Sequence, residues 1–451
     1  MKILLPEARN PYAAAGARVA DDMVHIGRDI IQSALQTAPR QWRLRAANPA
    51  HDRLYAPGQL LFGPGAGCPN ATDLQRGRRP GTLRDYEQTP ALQQSFDVIH
   101  ILGPSVEPQD VAPNLRHYAM MRAQIRRAAK PIFVYARGRA QIADSLHMIR
   151  LGLDLSDDNW ASGVRARTVI TTNAPRQLDN PMAEGIIAFA RAGQAFIITP
   201  FCLAGAMAPV PVAGAPILQQ PEALAGITLA QLARPGAPVS FGGFSSNVDM
   251  KSGAPAFGTP EPLKMQIGSG QLARHIGLPW RSASGSACNT ADMQAAQETT
   301  HTLWGAMMAQ ATLVVHAAGW LEAGLTFGYE KFINDIRALQ TLSEMGIHPG
   351  DTQGDVALDT LAEVPPAGHF FATAHTMARY DVAFYPPLVA DLSDHGQWTE
   401  GGALRSDQCA TAISQRVLDN FQPPAHEAEA EARLTPYIAN CTAAGGAPPL
   451  D

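Results

Sequence analysis

The chain has 451 residues, a formal net charge of −5, 46% hydrophobic residues and only 17% charged ones, which excludes a disordered chain and supports one large core or two ordinary ones. The acidic balance argues against a nucleic-acid binder. The longest apolar runs are strand-sized, far short of the roughly 20 residues of a membrane helix, and the few, scattered cysteines (Cys68, Cys202, Cys288, Cys409 and Cys441) fit a reducing cytoplasm.

The first 94 residues read as an extension, with a helix over 19–37 and a Gly/Pro-rich stretch at 57–80 read as hairpins under a barrel. From residue 95 apolar runs alternate with helical patterns. The runs are 96–102, 131–135, 168–171, 195–199, 239–241, 278–282, 313–316 and 325–327. The intervening helices are expected over 114–129, 139–151, 182–192, 221–232, 260–275, 290–310 and 331–345, with Gly193 and Gly277 as stops. Continuous apolar strands separated by helices are the pattern of a parallel sheet covered on its outside. Eight such units predict an α/β fold, a (β/α)₈ TIM barrel over 95–365 with an N-terminal extension at 1–94. Residues 366–451 form a C-terminal active-site segment followed by helices over 406–421 and 427–440.

In such a barrel the chemistry sits at the carboxyl ends of the strands. Those ends read Thr171-Thr172-Asn173-Ala174-Pro175, Thr199-Pro200-Phe201-Cys202, Gly242-Gly243-Phe244-Ser245, Ala283-Ser284-Gly285-Ser286 and His316-Ala317-Ala318-Gly319-Trp320-Leu321-Glu322, followed by Gly328-Tyr329-Glu330 and the stretch from Gly368 to Thr376. Small residues leave space, carboxylates are few, and Phe201, Phe244, Trp320, Phe327 and Tyr329 supply ring faces. Ring faces attract an organic cation through their quadrupole, and the same rings also serve to pack a barrel rim.

No Gly-x-Gly-x-x-Gly follows a strand and no phosphate loop occurs, so no nucleotide is expected. Cys-x-x-Cys, His-x-His, His-Glu-x-x-His and Gly-x-Ser-x-Gly are also missing, so no metal of the chain's own is expected. Asp292 suits the first turn of its helix, where it complements the dipole. Glu298, six residues on, faces elsewhere and reads either as an orienting carboxylate or as a surface residue.

Taken in order, several segments resemble the trimethylamine:corrinoid methyltransferase family. They are Thr171–Pro175, Thr199-Pro200 with Gly205-Ala206 and Ala213-Gly214-Ala215, Glu222–Ile227, Pro235–Pro238, Gly258-Thr259-Pro260-Glu261, Asp292–Glu298, Gly319–Leu325 and His375-Thr376. The resemblance implies a barrel that passes a methyl group from a methylated amine to cobalamin, a corrinoid carried by a separate corrinoid protein. Some members carry pyrrolysine. This chain contains only the twenty standard residues, which resembles the branch acting on glycine betaine and other quaternary amines. On that reading Trp320, Phe327 and Tyr329 beside Glu322 wall the ammonium group, and Asn173, His375 and Thr376 take the carboxylate. Phe201, Phe244, Gln294 and Glu298 then face the corrinoid. A homo-oligomer is a further expectation. The alternatives are a non-catalytic quaternary-amine binder, or a barrel lyase or hydrolase using Glu322 or Glu298 as base.

Overall fold

A computed structural model describes residues 1–450. Seven parallel strands form the central sheet: β1 (Leu61–Phe62), β2 (Ile132–Phe133), β3 (Ala166–Ile170), β4 (Ala195–Ile198), β5 (Val239–Gly242), β6 (Trp280–Ala283) and β7 (Leu313–Val315). They run β2-β3-β4-β5-β6-β7-β1 around the sheet. Leu313 of β7 pairs with Leu61 of β1. The remaining seam is filled by residues 100–102. There the amide of His100 donates to Phe62 O at 2.9 Å and that of Leu102 to Pro131 O at 3.0 Å. This segment is the eighth stave of a closed (β/α)₈ barrel. It stays irregular because the Phe62 amide is accepted by the His100 side chain, Nδ1 at 2.9 Å, instead of by a backbone carbonyl.

Each stave is followed by a long helix: α1 (Leu83–Ser95), α2 (Pro113–Arg127), α3 (Arg139–Gly152), α4 (Asn180–Ala192), α5 (Gly214–Ala233), α6 (Pro260–Ile276), α7 (Met293–Met308) and α8 (Tyr329–Met345), with a short extra turn at Asp157–Ala161 after α3. Left-handed Gly193 and Gly277 stop α4 and α6, as expected of helix C-termini. Two further helices, α9 (Ser406–Asp419) and α10 (Glu427–Ala443), pack on the outside, α9 against α8 and α10 against α2 and α3.

Two strand expectations are corrected. Leu61–Phe62, inside the stretch read as cover, is a barrel strand, so each run read as strand n is stave n + 1. The run 325–327 is not a stave: Thr326–Gly328 pairs with Trp320–Leu321 and Asn70–Thr72 in a separate small sheet. Its composition is strand-like, but Ala323 has positive φ and the chain turns back on itself there. Residues 19–37 also divide. Val19 and Val24 face each other in a hairpin turned at Asp21, and the helix is Arg28–Thr37.

The barrel is filled from below. A hairpin of Trp42–Leu44 and Arg53–Tyr55 inserts Leu44 and Tyr55 against Leu61, Ile101, Ala195, Ile197 and Leu313, with Trp42 stacked on Tyr55 at 4.7 Å. Every residue of β4 is buried, Phe196 and Ile198 against the helices and Ala195 and Ile197 toward the axis. Burial of each large side chain stabilises the fold by about 1.5–3 kcal/mol.

Candidate functional site

The carboxyl ends of the staves bring five rings together. Phe201 follows β4, Phe244 follows β5, His316 and Trp320 follow β7, and Phe257 comes from the loop between β5 and α6. Phe244 is the hub, stacked on Phe201 at 5.0 Å and on Phe257 at 5.1 Å, with Trp320 at 5.8 Å and His316 at 5.4 Å. His316 lies flat on Trp320 at 4.4 Å. Trp320 is only 4% exposed, and glycines determine where its ring fits. A Cβ on Gly285 (φ +121°) would stand 2.1 Å from its Cε3, and one on Gly324 (φ +103°) 2.4 Å from its Cζ2. At both positions glycine supplies the conformation and the room.

Beneath the rings lies Arg281 of β6, 2% exposed. Its Nη2 donates to His316 Nε2 at 3.1 Å, its Nη1 reaches Thr199 Oγ1 at 3.4 Å, and the guanidinium sits 5.1 Å from the Phe244 ring centre. Burial pushes the guanidinium down to about 9, with Tyr55 opposing and Arg167 adding to the shift. Arg167 of β3 is also buried on the axis, over the Phe133 ring. Among the described residues neither arginine has a carboxylate within 4.0 Å.

The acids near the mouth are already engaged. Glu298 on α7 accepts from Ser286 Oγ at 2.7 Å and from the amides of Ala287 and Cys288 at 2.8 and 3.2 Å, fixing the loop after β6, while Gln294 Nε2 donates to its other oxygen. Glu322 is held by the Arg78 guanidinium at 2.8 and 2.9 Å. Asp292 caps α7, accepting from the Gln294 amide at 2.9 Å. Glu222 on α5 is buried. It accepts from Thr172 Oγ1 and from the Arg176 amide, tying down the turn after β3, and burial raises its pKa.

Apart from the acids above, the sequence-derived residues fall into four places. Phe201, Phe244 and Trp320 share the ring cluster. Phe327 and Tyr329 pack with Phe332 behind Gly319, and the Tyr329 hydroxyl donates to Gln88 Oε1 at 2.6 Å on the flank of the barrel. Asn173 is exposed, its amide donating to Asp179 at 3.0 Å. His375 and Thr376 stand on a one-turn helix, Ala374–Met377, in the long excursion between α8 and α9, with Thr376 bonded to Thr373. Arg281 and Phe257 were not singled out from the sequence. Arg281 lies within the run 278–282, where a charge at an inward position of an apolar strand was the available signal. The wider clefts lie off the axis; one of about 590 Å³ runs between α7 and α8 beside Met293, Trp304 and Met345.

Fold and mouth together define a (β/α)₈ barrel with an aromatic site at the carboxyl ends of its strands. The chain belongs to the trimethylamine methyltransferase (MTTB) family, whose model matches residues 1–446. It is 34% identical to the glycine betaine methyltransferase of Desulfitobacterium hafniense strain Y51, over 95% of this chain and 89% of that one. It is 27% identical to the trimethylamine methyltransferase MttB of Desulfitobacterium hafniense strain DSM 10664 / DCB-2, over 94% and 86%. In fold it is similar to the monomethylamine methyltransferase MtmB of Methanosarcina barkeri, with a TM-score of 0.51, 9% identity, and coverage of 88% of this chain and 81% of that one.

Proposed function

We propose that the chain moves a methyl group from a quaternary methylated amine, of which glycine betaine is the type, to the Co(I) of a corrinoid carried by a separate protein. The observation that carries this reading is the cluster of Phe201, Phe244, Phe257 and Trp320 at the barrel mouth. Ring faces stabilise a methylated ammonium without a hydrogen bond, which such a cation cannot donate. The likeness to a glycine betaine methyltransferase supports the same substrate class.

The task left to the protein is modest in proton chemistry. A quaternary ammonium leaves as a neutral amine, so no acid is required, and Glu298 and Glu322 are committed to positioning loops rather than poised as bases. The corrinoid, when its protein docks, supplies the nucleophilic metal that accepts the methyl group. The chain's residues hold the N–CH₃ bond in line and exclude water. All five cysteines are free, which fits a cytoplasmic protein, and no described helix is long and apolar enough to cross a membrane.

The test is single turnover. Purified protein mixed with cob(I)alamin and glycine betaine is expected to release dimethylglycine, and to do so equally after chelator treatment. Betaine binding without dimethylglycine release would identify a non-catalytic binder and overturn the reading.

A further inference from the structure

The barrel axis carries a charge that no carboxylate among the described residues answers. Arg281 is 2% exposed, its Nε has no hydrogen-bond partner, and its polar neighbours are Thr199, His316, Tyr55 and Arg167, none of them an anion at neutral pH. Tyr55 is neutral, its hydroxyl bonded to Ser240 Oγ at 3.0 Å and burial pushing it up to about 12. A buried guanidinium without a counter-ion costs several kcal/mol of stability. Structural needs do not explain that cost, since the position lies in a strand whose other residues are apolar or small.

His316 adds a second donor. A guanidinium only donates, so His316 Nε2 must accept from Arg281 and the ring proton sits on Nδ1. That Nδ1 is buried and has no partner. The backbone of His316 has φ +58°, an uncommon conformation for a residue with a side chain, which holds the ring flat on Trp320. Two unsatisfied donors therefore lie directly under the aromatic cluster, whose Phe244 ring covers the guanidinium.

The geometry points to Arg281 and His316 as the anion subsite of this barrel, taking the carboxylate of a small zwitterion whose methylated ammonium lies against Phe257 and Trp320. This rests on the methylated-amine reading above and adds the selection among such amines. Carboxylate-bearing betaines are favoured over choline, whose hydroxyl leaves Arg281 uncompensated. The Phe244 ring, which now covers the guanidinium, is the group that the ligand displaces. It follows directly on Gly242-Gly243.

Thermal-shift and calorimetric titrations of the full chain with glycine betaine, glycine betaine methyl ester and choline test this. The free protein is expected to bind glycine betaine about 10- to 100-fold more tightly than either of the other two, the ratio that one hydrogen-bonded ion contact supplies. Arg281→Met should erase that ratio by weakening glycine betaine alone, and should raise the melting temperature of the ligand-free protein, because an unpaired charge has been removed. Equal affinity of the wild type for all three ligands overturns the subsite, and this arm needs no variant. An Arg281→Met protein that loses all three ligands alike, or fails to fold, shows a structural prop and overturns it too. Failure of the methylated-amine reading looks different: no ligand of the three binds, and no dimethylglycine is released.

Discussion

At the scale of the residue, the mouth is organised by what glycines leave room for and by what one carboxylate gathers. Gly285→Ala would bring a methyl group to 2.1 Å from Trp320 Cε3 and require a strained φ. It is expected to displace the indole, costing about 1–3 kcal/mol of stability, and to weaken betaine and choline alike in titration. Glu298→Ala leaves the Ser286 hydroxyl and the Ala287 amide without their acceptor, while the Cys288 amide keeps Ser286 Oγ. A fall in unfolding free energy of about 1–3 kcal/mol is expected, with Glu298→Gln recovering part of both stability and methyl transfer. A Glu298→Gln protein of unchanged stability but no transfer would instead make this residue a base. The rings Phe201, Phe244 and Trp320 were legible because they follow apolar runs, whereas His316 was read only as part of a strand end and His375 was preferred to it. Phe257 was hidden in a Gly/Pro-rich loop, and Arg281 was concealed by being counted as strand.

At the scale of the element, most helices after residue 95 were legible within a few residues because their stops are chemical: glycines with positive φ end α4 and α6. The start of α5 lies two turns earlier than expected, since Pro221 sits inside it, and in the first 95 residues Pro6–Ala14 and α1 were not read as helices at all. Staves were read one position late. β1 has only two residues, too short for periodicity to register, while 325–327 has strand composition and pairs elsewhere. The seam next to β1 is held by a side chain, which gives it a pH dependence. Burial lowers the His100 pKa to about 4, with Arg53 and Lys130 adding and Asp97 opposing. The unfolded chain takes up the proton near pH 6.5, before the folded one does. The contribution of His100 is thus full above pH 6.5, declines as pH falls toward 4 and is level below. A shift of that size corresponds to about 3 kcal/mol. His100→Asn, which keeps an acceptor for the Phe62 amide, is expected to flatten the stability difference between pH 7 and pH 4. An unchanged slope in denaturant titrations would place the acid sensitivity elsewhere.

At the scale of the whole molecule, the barrel is well enclosed and the excursion between α8 and α9 is not. Phe371, Tyr380, Val382, Phe384 and Leu392 are 72–89% exposed, though Val389 is buried and the Tyr385 hydroxyl donates to Gln340 on α8 at 3.1 Å. Exposed apolar side chains on this scale mark a protein–protein surface. Two partners compete for it in principle, and their lifetimes separate them. In the reaction proposed above, a corrinoid protein would leave and return with each turnover, which suits a polar, transient contact. A large apolar surface suits a permanent one. The excursion therefore supports a homo-oligomer in which a second copy covers it. Sedimentation of the isolated protein is expected to show a dimer or larger assembly without any corrinoid protein present. The triple substitution Phe371→Ser, Phe384→Ser and Leu392→Ser should shift it toward monomer while leaving far-ultraviolet circular dichroism unchanged, because none of the three side chains is part of the barrel core. A wild-type monomer that forms a stable complex only when the corrinoid protein is added would assign the excursion to that partner instead.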